Sequence, residues 1–409
     1  MKKMSFSARI FTGLILGVIL GLVINTFQLD GFLKSVISPV GTIFLNLMKM
    51  VIVPLILATL INSITGVGDM SRLGFLGRKA LTYYIGSTLI ASTIAITLAM
   101  LIKPGLGVSM GIPPGQVTES TSLASLIVNI VPSNPIKALA EGNTLQIIVF
   151  GAFIGIAINI IGSKVDNVKQ LFISFAEIMY KIVGIIMKVA PIAVFALITE
   201  VVATNGSAII LTLFKLVMVI LLGCLIQVFI VFPIAIKTIG KMNPIQFFKQ
   251  IFPAQIFSFS TASSAATLPI SMKCIQEGVG VSKTVSNFVL NLGSTVNMNG
   301  GAIYQATCAI FISQIYGVDL NIPQLIIIMV TAALASIGAA AIPGTVIVMM
   351  TMVLSAVGLP LEAIALIAGV DRILDMITTP VNVTGDLVAC VVVSAQEKRK
   401  NAKLEKANR

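Results

Sequence analysis

The sequence contains no histidine and little charge, and each shortage excludes a class of protein. Without an imidazole side chain, histidine-based acid–base catalysis and histidine metal ligation are excluded. Only 10% of the 409 residues are charged, whereas about a quarter of the residues in a soluble domain are. With 57% hydrophobic residues, the chain cannot cover a water-facing surface in the usual way, and its composition indicates an integral membrane protein.

Cysteine content and net charge add two further exclusions. The four cysteines lie in or beside apolar runs and form no CxxC pair, so neither a disulfide framework nor a zinc site is predicted. A net charge of +12 would suggest nucleic acid as the partner of a soluble protein. In a membrane protein most of this charge follows topology, so we expect no nucleic-acid partner.

Apolar runs that are long enough to cross a membrane, which takes roughly 20 helical residues, fill the first half of the chain. The first run lacks a small-residue cleavage site and is long for a signal peptide, so we expect it to be retained. Its Gly13, Gly17 and Gly21 either let a neighbouring backbone approach closely or face lipid without a role. We predict spans at residues 10–28, 35–68, 80–102, 142–162, 171–202 and 216–236.

The basic residues indicate the orientation of the chain. They gather at the N-terminus, in the connections after the second, fourth and sixth spans, and in the tail from Lys398 to Arg409. All of these segments lie on one side of the membrane when the spans alternate. With an even number of spans, the positive-inside rule places both termini in the cytoplasm. We therefore expect an all-α, multi-pass protein of the cell (cytoplasmic or inner) membrane.

Two segments of the C-terminal half are poor candidates for simple spans. Residues 251–272 are apolar at both ends, but residues 258–264 contain five hydroxyl side chains. Residues 320–361 are too long for one span and are interrupted by Gly338, Pro343 and Gly344. Because irregular backbone at membrane depth needs cover from protein or a water-filled cavity, each segment is typical of a re-entrant hairpin. Two such segments, each followed by a long helix, indicate inverted repeats with a binding site between them; faults in bundle packing are the alternative.

The last apolar run, residues 361–394, carries the strongest chemical signal. At about 100° per residue, Asp371, Asp375, Thr379, Asn382 and Asp386 stay on one helix face. Carboxylates facing lipid are very costly, so these side chains are expected to line a polar site that binds cations, a proton or a substrate amine. Pairing with a nearby base such as Arg372 is the alternative, although one arginine cannot neutralise three acids.

The segment from Asp371 to Asp386 resembles the eighth span of the sodium-coupled dicarboxylate/amino-acid symporters. This is the family of the glutamate transporters and the neutral amino-acid exchangers. Further blocks resemble the family over nearly the whole chain and in the same order. They are residues 83–88, 131–136, 144–148, the first hairpin at 261–269, the seventh span at 297–300 and the second hairpin at 336–344.

The resemblance implies a transporter rather than an enzyme, with eight spans and two re-entrant hairpins, surrounded by membrane lipid and assembled as a homotrimer. It assigns residues 1–75 and 106–207 to a scaffold. It assigns residues 76–105 and 208–396 to a transport part that carries the substrate in an elevator-like movement. Residues 397–409 form a basic cytoplasmic tail. No organic cofactor is implied.

The resemblance also implies the residues that bind substrate and ion. Asp375 matches the carboxylate that holds an α-amino group, and Asn382, Ser263 and Ser264 match groups that hold the α-carboxylate. The predicted substrate pocket consists of Asp375, Asn382, Thr378, Thr379, Ser263, Ser264, Gly301, Ile342 and Gly344. Sodium is the implied co-transported ion, and its oxygen ligands suit a hard cation. The first sodium site matches Gly293, Asn297, Asn382 and Asp386; the second Thr295, Met298, Ser336 and Ile337; the third Tyr84, Ser87, Thr88, Asn297 and Asn299.

Departures from the family pattern bear on the substrate and on the ion. Thr378 stands where carriers of acidic amino acids have an arginine, whereas Asp375, which dicarboxylate carriers lack, is present. Together they predict a neutral amino acid such as serine, threonine or alanine; an acidic amino acid or C4-dicarboxylate, coupled to sodium or protons, is the alternative. Asn299 replaces an aspartate, which predicts fewer coupled sodium ions unless its amide oxygen still serves. A further family arginine is missing from both of its known places, Ala262 and Met376, and nothing in the sequence explains what replaces it.

Two other classes of membrane protein fit less well. An intramembrane aspartyl protease needs aspartates on two helices, one of them in a Gly-x-Gly-Asp run, but here the three acids share one helix and Val383 stands in place of the first glycine. A passive channel predicts rings of pore-lining charge without occluding hairpins. Accumulation of labelled amino acid above its outside concentration would separate a carrier from a channel.

Overall fold

The computed structural model describes residues 6–65, 70–108, 128, 131–338 and 344–407, and this part of the chain contains helices but no strand. Fifteen of its helices have seven residues or more. They are α1 (Phe6–Phe27), α2 (Ser38–Thr65), α3 (Met70–Ile102), α4 (Pro135–Glu141), α5 (Thr144–Ile161), α6 (Asp166–Ile186), α7 (Ala190–Asn205), α8 (Ala208–Ile226), α9 (Pro244–Thr261), α10 (Ser264–Lys273), α11 (Lys283–Val296), α12 (Asn299–Ile315), α13 (Ile322–Gly338), α14 (Thr345–Ala356) and α15 (Asp371–Ala407).

Short helical turns extend or join several of these helices. The α-helical ones are Asp30–Phe32, Phe232–Ala235 and Ile364–Ala368; the 3-10 ones Gly162–Val165, Met187–Val189 and Leu361–Ala363; the π-helical ones Leu33–Ile37, Gln227–Val231, Ile236–Gly240 and Cys274–Gly278.

Five helical stretches among the described residues are long and apolar enough to cross a membrane. They are Ala8–Phe27, Gly74–Ile102, Gln146–Asn205, Ala208–Gly240 and Asp371–Ala402. Shorter apolar helices cover Val53–Asn62, Ile322–Ala335 and Thr345–Ala356. The all-α class of membrane protein is therefore confirmed, whereas the number of crossings stays a prediction.

The segment before hairpin two is uncharged throughout but forms two helices. The uncharged run at residues 284–318 breaks at Asn297 and Met298, between α11 and α12. Both residues have non-helical backbone angles, with ψ of 95° at Asn297 and 64° at Met298. Asparagine and glycine are poor helix formers, and Asn297, Asn299, Gly300 and Gly301 lie together here. The break brings backbone carbonyls and amide side chains into the interior.

Both predicted hairpins are pairs of helices that pack against each other, α9 with α10 and α13 with α14. In hairpin one, Ala262 has a left-handed backbone with φ of 51°, which ends α9 and turns the chain. Ser263 then begins α10, because its hydroxyl accepts a hydrogen bond from the N–H of Ala266 at 3.1 Å. The tip of hairpin two, residues 339–343 with the predicted pocket residue Ile342, lies outside the described residues.

The helices form two groups. In the first helix group, α1 lies along α7, and α2 packs on α5, α6 and α7. In the second helix group, α12 and α15 lie at the centre and contact α3, α8 and the hairpins. The α1–α7 contact is close because a Cβ added to Gly17 would lie 2.7 Å from the carbonyl oxygen of Phe195. The close-approach interpretation of the glycine repeat is therefore confirmed.

Candidate functional site

The three carboxylates of α15 are buried inside the second helix group. Asp371, Asp375 and Asp386 are each less than a tenth exposed, and Thr379 and Asn382 between them are buried as well. The helix continues without interruption through Pro380. A buried row of acids in an apolar chain needs partners, and these come from Gly344 of hairpin two, Asn297 at the break and Tyr304 of α12.

Asp375 contacts the second arm of hairpin two. Its Oδ2 accepts a hydrogen bond from the backbone N–H of Gly344 at 3.0 Å. The Thr379 hydroxyl donates to the Asp375 carbonyl at 2.7 Å, and Thr378 is fully buried beside them. A carboxylate has roughly four lone-pair positions, so one N–H donor leaves Asp375 with capacity for an ammonium group.

Asn382 contacts the break between α11 and α12. Its Oδ1 accepts hydrogen bonds from the N–H groups of Gly300 at 2.7 Å and Gly301 at 3.4 Å. A Cβ added to Gly300 would collide with the Thr378 carbonyl, so this close approach requires glycine. The predicted pocket residues Thr378, Asn382 and Gly301 are therefore brought together.

The tip of hairpin one meets the first turn of α15. Ser263 and Ser264 are buried at this tip. The Nη2 of Arg372 donates a hydrogen bond to the carbonyl oxygen of Thr261 at 3.2 Å. Since Arg372 and Asp375 lie one turn apart, the same short stretch of α15 contacts both hairpins.

The residues predicted for the first sodium site surround Asp386. Its Oδ1 accepts a hydrogen bond from Asn297 Nδ2 at 2.9 Å. A Cβ added to Gly293 would lie 2.5 Å from this oxygen and 2.6 Å from the Tyr84 hydroxyl oxygen. Asp386, Asn297 and the backbone of Gly293 are therefore close together, with Tyr84 next to them.

The residues predicted for the third sodium site are also neighbours. Asn299 Oδ1 accepts hydrogen bonds from the hydroxyls of Thr88 at 3.1 Å and Ser87 at 3.4 Å. Its Nδ2 donates to the Ser87 hydroxyl oxygen at 3.0 Å. The Tyr84 hydroxyl donates to the Val289 carbonyl at 2.8 Å. Oxygen atoms of α3 and α12 thus converge at Asn299, and Tyr84, one turn earlier in α3, contacts α11.

The residues predicted for the second sodium site lie at helix ends. Thr295 is in the last turn of α11, Met298 is in the break, and Ser336 and Ile337 are in the last turn of α13. The final carbonyls of a helix have no intrahelical donor and carry partial negative charge, which favours a cation. Helices α11 and α13 contact each other.

Sequence reasoning missed several polar partners of the site. Tyr304 donates its hydroxyl proton to Asp371 Oδ1 at 2.7 Å, and Gln305 Nε2 donates to the Val346 carbonyl of hairpin two at 3.2 Å. Tyr304 lies one helical turn after Gly300. This spacing from the Asn297–Gly301 cluster could have indicated that Tyr304 faces the same site.

The chemistry of this arrangement is binding rather than bond breaking. No group of three histidine, cysteine, aspartate or glutamate side chains in the described part of the chain converges as a metal centre. The site instead offers buried carboxylates, amides, hydroxyls and helix-end carbonyls, which suit a hard cation and a small zwitterion. A long apolar chain with such a site between two hairpins defines an ion-coupled membrane transporter.

The family follows from comparison with known proteins. The model of the sodium:dicarboxylate symporter family matches residues 6–396, and the chain belongs to this family. Its members are transporters, not enzymes, so the protein is a multi-pass membrane symporter of the dicarboxylate/amino-acid type.

Relatives named for different substrates are similar to this chain over most of their length. A proton/sodium-glutamate symport protein of Geobacillus stearothermophilus is 36% identical, covering 98% of this chain and 96% of the relative. A proton/glutamate-aspartate symporter of Escherichia coli is 34% identical, covering 97% and 94%. The human neutral amino acid transporter A is 31% identical, covering 93% and 80%.

Proposed function

We propose that this symporter couples sodium entry to the uptake or exchange of a neutral amino acid such as serine, threonine or alanine. One observation carries the proposal: the buried carboxylate of Asp375 lies beside Thr378, which is fully buried and uncharged. Among the side chains that the structure describes, Arg372 is the only buried lysine or arginine.

Asp375 is the carboxylate that we assign to the substrate's α-amino group. It accepts a hydrogen bond from Gly344 of hairpin two, and further along α15 Thr378 and Asn382 contact Gly300 of α12. An ammonium ion that enters this dry site needs an anionic partner, because an unpaired buried charge costs several kcal/mol. We assign the α-carboxylate to Asn382 and to the hairpin-one serines, Ser263 and Ser264.

The absence of charge at Thr378 argues against an acidic side chain on the substrate. A second carboxylate there would be buried against a hydroxyl, which leaves its charge without a cation. Six residues at about 100° each place Arg372 on a different side of α15 from Thr378, and its Nη2 donates to the Thr261 carbonyl of hairpin one. Arg372 therefore does not take the position of the missing arginine.

An acidic amino acid is the second candidate, and two observations favour it. Arg372 places one buried cation within the same turns of α15 as Asp375. The names of the Geobacillus and Escherichia relatives specify glutamate or aspartate. A C4-dicarboxylate fits less well, because it has no amine for Asp375.

Sodium coupling is supported by the surroundings of Asp386 and by the helix-end carbonyls near Met298. The third site has the amide of Asn299 instead of a carboxylate, and fewer anionic ligands mean weaker cation binding. We therefore propose that transport couples fewer sodium ions than three.

The assembly and the movement are part of the same proposal. We propose a homotrimer with both termini in the cytoplasm, in which the second helix group with its two hairpins moves relative to the first. Both hairpins contact one stretch of α15, through Arg372 and Asp375, which supports their movement as one body with the substrate.

A thermal-shift screen of the purified protein against the twenty amino acids, in sodium and in choline, tests the proposal. A ligand that binds the folded state raises its melting temperature by mass action. We expect serine, threonine or alanine to raise it in sodium only. Stabilisation by aspartate or glutamate alone would contradict the neutral assignment and favour the second candidate.

A further inference from the structure

We propose that Arg372 is a positioning residue that fixes the tip of hairpin one to α15 and so holds this hairpin closed over the substrate. This inference rests on the proposed function in one respect, that the hairpin-one serines contact the substrate. It also identifies the cation that serves this chain where the family arginines at Ala262 and Met376 are absent.

The contact joins two elements that are far apart in sequence. Arg372 is the second residue of α15 and is only 6% exposed. Its Nη2 lies 3.2 Å from the carbonyl oxygen of Thr261, the last residue of α9. Because the last carbonyls of a helix have no intrahelical donor, a guanidinium at this end both donates a hydrogen bond and complements the helix dipole.

The backbone at this contact determines the position of the serines. Ala262 follows Thr261 with a left-handed φ of 51°, and its N–H donates to the Ser258 carbonyl at 2.8 Å. Ser263 comes next and begins α10 with its hydroxyl. A shift of the Thr261 carbonyl therefore shifts Ser263 and Ser264, the two hydroxyls assigned to the substrate's carboxylate.

Arg372 also lies where the second helix group meets the first. It borders a cavity of about 20 Å³ together with Gly344 of hairpin two and Val194 of α7 in the first helix group. One turn later, Asp375 accepts the hydrogen bond from Gly344. The first turns of α15 thus hold the two hairpins by different bonds. Loss of the Arg372 bond releases the tip of hairpin one, while the Asp375 contact with hairpin two and the hydrogen bond from Gln255 of α9 to Thr384 of α15 remain.

A reporter cysteine on hairpin one tests this assignment. Ala262 is buried beside Thr261 at the tip of hairpin one, so a cysteine there is shielded while the tip is closed; the four native cysteines are buried as well. The Ala262→Cys protein, checked for retained sodium-dependent binding, is reconstituted in liposomes, and its labelling rate by a maleimide is measured in sodium with and without serine. Protein without the reporter cysteine gives the background rate.

Arg372→Gln is compared with Arg372→Lys and with a matched control, Arg399→Gln. Arg399 also donates from Nη2 to a backbone carbonyl, that of Ile239 at 2.9 Å, but it is exposed and lies outside the site. We expect Arg372→Gln to label about tenfold faster in sodium alone, the factor that a lost hydrogen bond from a charged donor gives. Arg372→Lys keeps the positive charge but loses the planar guanidinium, so it should label at an intermediate rate. Arg399→Gln should label at the parent rate.

An unchanged labelling rate in Arg372→Gln would overturn the proposal. Parent-like labelling combined with selective loss of aspartate or glutamate binding would also overturn it, because Arg372 would then contact the substrate itself. If Arg372→Gln does not purify as a monodisperse protein, Arg372→Lys decides: faster labelling supports the proposal and the parent rate overturns it. If no neutral amino acid slows the labelling of the parent, only the proposed function is contradicted. The comparison of the parent with its Arg372 variants in sodium alone needs no substrate.

Discussion

The first and last helices of the chain are held in opposite ways. Helix α1 packs along α7 through glycines, and 28% of its most apolar stretch is buried. In the most apolar stretch of helix α15, 83% of the residues are buried. Its neighbours contact it through hydrogen bonds to Asp371, Asp375, Asn382 and Asp386.

This difference separates a fixed contact from exchangeable ones. Backbone atoms that meet at a glycine have a single arrangement, since any displacement opens a gap or a clash. Hydrogen bonds to a buried carboxylate or amide can be exchanged for bonds to a ligand at little net cost. The α1–α7 contact is therefore suited to a scaffold, and the contacts of α15 to a site that opens and closes.

Asp375→Asn is the largest expected effect on the exchangeable contacts. The substrate's ammonium group loses its anionic partner in a dry site, a change that costs about 3–5 kcal/mol. Calorimetry with serine in sodium should show an affinity at least about a hundredfold lower, as that energy implies. Asp166→Asn, which alters an exposed carboxylate in the first turn of α6, is the control. Equal affinity in the Asp375→Asn protein would reject the amine assignment.

Thr378→Arg should change the preferred substrate without disturbing the fixed contact. A guanidinium at this position can pair bidentately with a side-chain carboxylate, and a neutral substrate would leave it unpaired. The gain in binding free energy for an acidic substrate and the loss for a neutral one should each be ~2–5 kcal/mol. Competition of labelled neutral uptake by serine, threonine, alanine, aspartate and glutamate measures it, with the exposed-site variant Thr238→Arg as control. A parent protein that already prefers aspartate or glutamate would show the neutral assignment to be wrong.

Gly17→Ala tests the fixed contact itself. The added methyl group would lie 2.7 Å from the Phe195 carbonyl oxygen, so α1 and α7 must separate. Overpacking of this kind costs about 1–3 kcal/mol, and the melting temperature should fall while substrate affinity is retained. Gly184→Ala, in α6 with open space around it, should leave the melting temperature at or slightly above the parent value. A Gly17→Ala protein as stable as the Gly184→Ala protein would remove the distinction between the two regions.

Asn299→Asp should have the smallest effect and should sharpen the account of the ion. An added carboxylate at the third site strengthens cation binding, so the sodium concentration for half-maximal substrate binding should fall by about tenfold, or ~1.4 kcal/mol. In the parent, apparent affinity should depend on sodium activity less steeply than the third power. Asn321→Asp is the control because either side chain can cap α13. An unchanged sodium dependence in Asn299→Asp would mean that no ion binds at this position.

Much of the fold was predictable because membrane burial leaves strong marks in a sequence. Carboxylates on one helix face, five hydroxyls near the middle of an apolar run, and glycine and proline in an overlong run each indicated an element that the structure contains. Helix periodicity alone grouped Asp375, Asn382 and Asp386, and all three are buried in the site.

The features that were missed depend on contacts between distant elements. The break at Asn297 and Met298 lies inside a run that composition describes as continuous, and Gly300 just after it packs against Thr378 of a distant helix. Arg372 points away from Thr378 on the helical wheel, and only the three-dimensional register of α9 and α15 shows that it reaches Thr261. Spacing along one helix gives no information on which carbonyl of another helix lies opposite.

The central claim is that the buried carboxylates of α15 form a sodium-coupled site for a neutral amino acid. Uptake of labelled serine into liposomes that contain the purified protein tests it most directly, with an inward sodium gradient or with choline in its place. The account predicts that serine accumulates above its outside concentration only with the sodium gradient, and that alanine or threonine competes whereas aspartate does not. Equal accumulation in choline at several pH values, or displacement of serine by aspartate alone, would contradict it.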